Sequence, residues 1–165
     1  DVYKRQDVDY VILDCPPSLG LLTLNALVAA DEVLLPIQCE YYALEGVTQL
    51  MRTIEAVRHA MNKGLRLGSI LMTMFDGRTR LSTQVDEEVR THFARETMMT
   101  RIPRSVRVSE APSYSRSVLT YEPTSAGAVA YREAAAEFAR RHAGDDHSTE
   151  TSVVEHHDAS DTKEG

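Results

Sequence analysis

The sequence predicts an α/β domain, a parallel sheet flanked by helices, and three observations carry that prediction. Short apolar, β-branched runs recur along the chain without alternating in polarity, as strands buried on both faces do. Segments with helical spacing separate them, the order expected of strand–helix–strand crossovers. The first and last of these runs are closed by prolines, which cannot donate to a strand ladder.

Taken in order, residues 9–14, DYVILD, form the first expected strand, stopped by Pro16 and Pro17. Residues 20–30, GLLTLNALVAA, have a helical pattern, and 33–38, VLLPIQ, a second strand in which Pro36 suits a central position poorly. Between 44 and 62 a helix face is spelled by Leu44, Val47, Leu50, Met51, Ile54, Val57 and Met61, ended near Gly64. A third strand is expected at 67–75, LGSILMTMF, followed by an amphipathic helix at 82–96 with Val85, Val89 and Phe93 inward. A short strand at 98–102 precedes Pro103, and a last helix at 126–142 offers Ala128, Val129, Tyr131, Ala135 and Phe138 for packing.

Composition bounds the function. With 165 residues and 42% hydrophobic content the chain suffices for one domain with a real core. No apolar run approaches the roughly 20 residues of a membrane helix, and the polar start DVYKRQDVDY lacks the apolar stretch of a signal peptide. Cys15 and Cys39 sit in apolar sequence and read as reduced, buried thiols of a cytoplasmic protein. The net charge of −7 belongs to the end: residues 145–165 hold seven acids and one lysine, leaving 18 acids against 17 bases in the body. That end has few large apolar residues and is expected to be a disordered acidic tail, with His147, His156 and His157 as solvated groups. Residues 1–6 fit no element and stay unplaced, a junction foreign to the native chain being one open reading. Residues 7–144 are the domain, and the absence of an initial Met suggests a fragment.

Asp14 carries the chemistry. Ligands of parallel α/β sheets bind beyond the carboxyl ends of strands, and a carboxylate there can hold Mg²⁺ through water beside a phosphate. The bland alternative, that Asp14 caps the next segment, is somewhat favoured by the residues alone.

Four stretches shift that balance: DYVILDCPPSLGLLTLNAL, PIQCEYYALEGVTQL, LMTMFDGRTRLS and IPRSVRVSEAPSYSRSVLTYEPTSAGAVAY. In this order, over residues 7–141, they resemble the chromosome- and plasmid-partitioning ATPases of the ParA/Soj family. The resemblance implies a deviant Walker P-loop NTPase fold, incomplete here because only the family's C-terminal portion is matched. It implies ATP and Mg²⁺ as cofactors, an ATP-dependent homodimer, nonspecific DNA binding and a ParB-type centromere-binding partner, with a cytoplasmic, nucleoid-associated location and no membrane. The family's glycine- and lysine-bearing phosphate loop is not among these residues. The chain alone is therefore expected to be inactive as an ATPase, with no catalytic residue of its own and with apolar surface exposed.

By the same resemblance Asp14 corresponds to the Walker B aspartate and supports Mg²⁺. Glu40, Asp76 and Pro103, each at or just past a strand end, are the nucleotide-binding candidates. Asp76 serves equally well as the cap of the turn DGRT, and Glu40 and Glu45 as members of a solvated loop with Tyr41 and Tyr42. Arg78, Arg104 and Arg107 are the DNA-binding candidates, since guanidinium groups pair bidentately with phosphates. Arg80 and Arg116 share that chemistry, while Arg95 and Arg101 read as ordinary solvated charge. A nonenzymatic DNA- or partner-binding module without a phosphate loop is the alternative. A membrane-associated division-site ATPase is a further one, which the acidic tail disfavours because it would end in a basic amphipathic helix.

Overall fold

The computed structural model describes residues 8–16, 20–41 and 43–143. The expected tail and residues 1–6 lie outside the described residues, as do Pro17 and Tyr42. The first helix, α1 (Leu21–Ala29), leads into strand β1 (Glu32–Gln38), then α2 (Ala43–Ala60), β2 (Arg66–Phe75), α3 (Arg80–His92) and β3 (Thr97–Pro103). Short helices α4 (Val106–Glu110) and α5 (Val118–Tyr121), with a 3-10 turn at Ala111–Tyr114 between them, precede the long α6 (Ala126–His142).

The three strands pair in parallel in the order β1-β2-β3, so β2 is central. Its side chains divide by the period of two. Ile70 and Met72 face one layer, where they meet Ile37 and Cys39 from the β1 side, Val47 of α2, and Val85 and Val89 of α3. Leu71 faces the other layer, with Met98 and Ile102 of β3 and Ala130 and Ala134 of α6. Helices thus cover both faces, and the expected α/β class stands. At the amino end of the sheet α1 and α2 close over Leu27, Ile54, Val57 and Leu65. There the Asn62 amide donates to the carbonyls of Leu27, Val28 and Ala30 at 3.1, 3.1 and 2.7 Å. Those last carbonyls of α1 have no intrahelical partner and need such a donor.

The structure departs from the sequence expectations at several places. Residues 9–14 are not a strand. Segment 8–16 joins no ladder among the described residues, with Ile12 81% exposed, and it is held near α6 by Tyr10, whose ring lies 5.7 Å from that of Phe138. A strand is defined by its ladder, and none of the described strands pairs with this segment. β1 is an edge strand among the described residues, and Pro36 lies within it, opposite Leu71 of β2. Exposed Val11, Ile12, Leu13, Leu21 and Leu22 form the expected apolar surface.

Helix α3 stops at His92, short of 96, because Phe93 leaves the helical region and its carbonyl accepts from the Thr97 amide and hydroxyl at 2.9 and 2.7 Å. On α6 the inward stripe is Ala130, Ala134 and Phe138, whereas Val129, Tyr131 and Ala135 are exposed. Small alanines let this helix sit close on the sheet, so side-chain size was a poor guide to its buried face. Met61 lies past the end of α2 and is exposed.

Candidate functional site

The carboxyl ends of the strands converge on one edge, and a small polar network fixes their spacing. Ser82, in the first turn of α3, receives the Asp76 amide on its hydroxyl at 3.4 Å and donates to the Cys39 carbonyl at 3.4 Å. One hydroxyl thereby ties the exit of β2 to the exit of β1. Thr79 caps α3, its hydroxyl oxygen accepting from the Ser82 amide at 3.3 Å and its proton going to the Asp76 carbonyl at 2.9 Å. The turn composition of DGRT is realised as this cap.

Near its end β2 is irregular. Met74 adopts a left-handed φ of 53°, at a shift of register between Met72 and Phe75 on the β3 side. A non-glycine residue there costs on the order of 1–3 kcal/mol and persists only where its surroundings enforce it. The bulge turns the Phe75 carbonyl onto the Arg104 amide at 2.9 Å and joins the exits of β2 and β3.

Glu40, Asp76 and Arg104 lie at this edge, and with Asp14 they are among the residues lining a broad open cavity of about 1960 Å³ that runs along the whole of β1. Pro103 ends β3 in register with Phe75 but does not line it, and neither Arg78 nor Arg107 does. Asp14 is exposed at its rim. Glu45 is exposed in the first turn of α2, and Tyr41 is 78% exposed.

Each of the three DNA-candidate arginines is paired with an acid, which the sequence did not foretell. Arg78 grips Asp76 through its backbone amide and Nε on Oδ1, at 3.1 and 3.0 Å, and through Nη2 on Oδ2 at 2.9 Å. These bonds hold the Asp76 carboxyl well below the usual range, at about 2. Arg104 donates to Glu40 Oε1 at 3.2 Å, and Arg107 to Glu110 Oε2 at 3.0 Å, one turn along α4.

Arg101, expected in solvent, instead reaches the 4%-exposed Asp86, at 2.9 Å from Nε and 2.6 Å from Nη2. Arg90 meets the same carboxylate at 3.1 and 3.0 Å and spans to the Met98 carbonyl at 2.9 Å. Burial pushes the Asp86 carboxyl up, and the bonds from Arg101 and Arg90 outweigh it and hold it down. The Asp86-to-Arg90 spacing of four along a helix was a readable signal, whereas Arg101 arrives from the next strand. Glu137 of α6 likewise accepts from the Met99 and Thr100 amides at 2.7 and 2.8 Å, covering edge strand β3.

The cysteines divide. Cys39 is buried, and burial pushes its thiol up to about 11, as an inert core thiol requires. Cys15 is exposed, contrary to expectation, because segment 8–16 packs so little of its length against the sheet. Among the described residues no group of three His, Cys, Asp or Glu side chains could cage a metal ion. No helix among them is long and apolar enough to cross a membrane.

Comparison with known proteins shows what the chain is similar to. Residues 3–67 match the family model described as AAA domain. The chain is 51% identical over 135 residues to the sporulation initiation inhibitor protein Soj of Bacillus subtilis, spanning 82% of this chain and 53% of that protein. It is 50% identical over 141 residues to the chromosome-partitioning ATPase Soj of Thermus thermophilus, spanning 86% of this chain and 57% of that one. The chromosome partitioning protein ParA of Caulobacter vibrioides is 52% identical over 132 residues, which are 80% of this chain and 49% of that protein. Among solved structures, cobyrinic acid a,c-diamide synthase from Mycobacterium smegmatis with bound ADP and magnesium superposes with a TM-score of 0.67 at 38% identity, over 87% of this chain and 51% of that one. The chain thus spans about half the length of the curated relatives it matches. On this identity, sustained over about four fifths of its residues, the chain belongs to the Soj/ParA family of chromosome-partitioning ATPases.

Proposed function

We propose that the protein to which these residues belong is a partitioning ATPase that binds Mg-ATP at the carboxyl edge of the sheet, dimerises with ATP, and grips DNA without sequence preference. The observation that carries this is the family match joined to the carboxyl edge of the sheet, where Glu40 and Asp76, singled out from sequence, follow β1 and β2. In a structural relative the bound species are ADP and magnesium. Mg²⁺ beside a phosphate asks for one or two carboxylates and keeps several waters. A lone exposed carboxylate such as Asp14 fits that form, and the described residues offer no all-protein cage. Bound there, the ion would neutralise phosphate charge.

The chain's own residues would work as follows. Asp14 holds the ion's water shell at the mouth of the cleft. Glu40 and Asp76 accept hydrogen bonds from nucleotide hydroxyl or amino groups, and Pro103 supplies an apolar surface beside the base. Arg78, Arg104 and Arg107 meet backbone phosphates, so affinity should depend strongly on salt and little on sequence. A ParB-type protein is the proposed stimulating partner and the nucleoid the proposed location. Domain limits of 7–144, followed by an acidic tail, are proposed with it.

The test uses the full-length protein. Mg-ATP should convert it to a dimer by light scattering and raise its affinity for random-sequence duplex DNA, and chelation of Mg²⁺ should abolish both. DNA affinity that ignores nucleotide, or no hydrolysis with a ParB-type partner present, would reject the proposal.

A further inference from the structure

The proposed nucleotide-binding acids and the proposed DNA-binding arginines are partners of one another. Asp76 holds Arg78 by three hydrogen bonds, two of them from the guanidinium. Glu40 holds Arg104 by one. The acids line the cavity, whereas Arg78 stands outside it with its side chain 90% exposed. The Asp76–Arg78 pair therefore reaches from the cavity to the surface, whereas Glu40 and Arg104 both line the cavity and are about half exposed. An arginine next to a carboxylate presents almost no net charge to a polyanion, so in this arrangement the strand-end surface is electrostatically muted. A ligand whose hydroxyl or amino donors bond to Asp76 and Glu40 competes with the arginines for those carboxylates.

From this we infer that the Asp76–Arg78 and Glu40–Arg104 pairs are an autoinhibitory contact: nucleotide entering the cleft competes for the two carboxylates and releases the two arginines to DNA phosphates. The inference rests on the proposed nucleotide and DNA roles and adds the means by which one site governs the other. The device consists of two competing sets of bonds to the same carboxylates, and such coupling is reciprocal, so DNA must tighten nucleotide binding by the factor that nucleotide tightens DNA. Asp76 is the stronger lock. Its grip on Arg78 is two-pronged and reinforced by a backbone amide, whereas Glu40 and Arg104 are both about half exposed and share a single bond. Arg107 provides an internal comparison. Its partner Glu110 does not line the cavity, so that pair should not respond to nucleotide.

The experiment measures the affinity of the nucleotide-free, full-length protein for random-sequence duplex DNA by anisotropy at several salt concentrations. Asp76→Asn keeps the shape and removes the charge. It should raise nucleotide-free affinity about two- to fivefold, the range an exposed pair sustains. The salt slope should steepen by about one. The gain should vanish in an Arg78→Gln background. Glu40→Gln should act the same way, more weakly, and through Arg104 alone; it is a second route should Asp76→Asn disturb the turn. Glu110→Gln should raise affinity by equal factors with and without Mg-ATP. The inference is overturned if Asp76→Asn and Glu40→Gln leave nucleotide-free affinity unchanged. It is equally overturned if the gain survives in the Arg78→Gln background, which would mark a general charge effect. In both cases a parent protein that still binds DNA with Mg-ATP leaves the proposed function standing. A parent that never binds DNA rejects the function and the autoinhibition together.

Discussion

Changing Asp86 to Ala should destabilise the fold and loosen the edge on which the candidate site is built. The carboxylate is 4% exposed and takes four guanidinium bonds, two from Arg90 and two from Arg101. Removing one partner of a buried ionic cluster costs about 3–5 kcal/mol because the remaining charge stays unpaired. Here the remaining charges are partly solvated, Arg90 at 22% and Arg101 at 36% side-chain exposure, and Arg90 keeps its bond to the Met98 carbonyl. Discounting for that solvation leaves about 2–3 kcal/mol. In a domain of the size of the full-length relatives this lowers Tm by about 4–12 °C. The pH dependence has a fixed sign. The folded carboxyl is held below its unfolded value, so its stabilisation is present above about pH 4 and is lost as pH falls through the lower folded value. Thermal melts of parent and Asp86→Ala between pH 3 and pH 7, on the order of one unit apart, should therefore converge at the acid end. Arg101→Met should cost less in the Asp86→Ala background than in the parent. A Tm within about 1 °C of the parent at neutral pH would show the carboxylate to be dispensable. Arg101 would then be the solvated charge its sequence neighbourhood suggests.

In the full-length protein Asp14→Asn should cut Mg-ATP hydrolysis steeply while leaving the melting temperature nearly unchanged, since the carboxylate is exposed and its proposed task is to support the ion; unaltered turnover at saturating Mg²⁺ would restore the capping role. Gly127→Ala should destabilise by about 1–2 kcal/mol in urea titration, because a Cβ there would stand 2.4 Å from Val108 Cγ2 and overpacking outweighs the roughly 1 kcal/mol that alanine gains in a helix; a stabilised variant would show that α4 gives way freely. Arg107→Glu should weaken DNA binding alike on all sequences and flatten the salt slope by about one unit, with Arg95→Glu as a near-silent control; equal losses from both would mean that only net charge matters.

The fold was legible where one physical signal dominated. β2 reads as a strand because Ile70, Leu71 and Met72 are all buried, on alternating faces. Helix α2 reads as a helix because Val47, Ile54 and Val57 fall on one stripe that packs. Where two signals competed the sequence misled. Residues 9–14 have the composition of a buried strand, yet strand formation depends on a neighbour's free edge, a property of the surroundings and not of the hexapeptide. On α6 the larger side chains, Val129 and Tyr131, were natural candidates for the core, but close approach to β3 selects Ala130 and Ala134. The left-handed Met74 has no sequence signal at all, since glycine or asparagine would have been the usual occupant.

The candidate site shows the same division. Asp76 could be named as a strand-end carboxylate because the apolar run before it does form β2, whereas the run before Asp14 forms no strand among the described residues. The charge partners of Asp76 and Glu40 could not be named so. Arg78 and Asp76 are two residues apart, but the pair depends on a turn that swings a guanidinium back over its own loop. Arg104 and Glu40 are 64 residues apart and meet only because β1 and β3 flank the same central strand. A list of acids and a list of arginines, read separately, assign one set to a nucleotide and the other to DNA. The geometry pairs them instead, Asp76 with Arg78 and Glu40 with Arg104. With Arg78, Arg104 and Arg107 each held by its own acid, these three positions offer a polyanion little net charge.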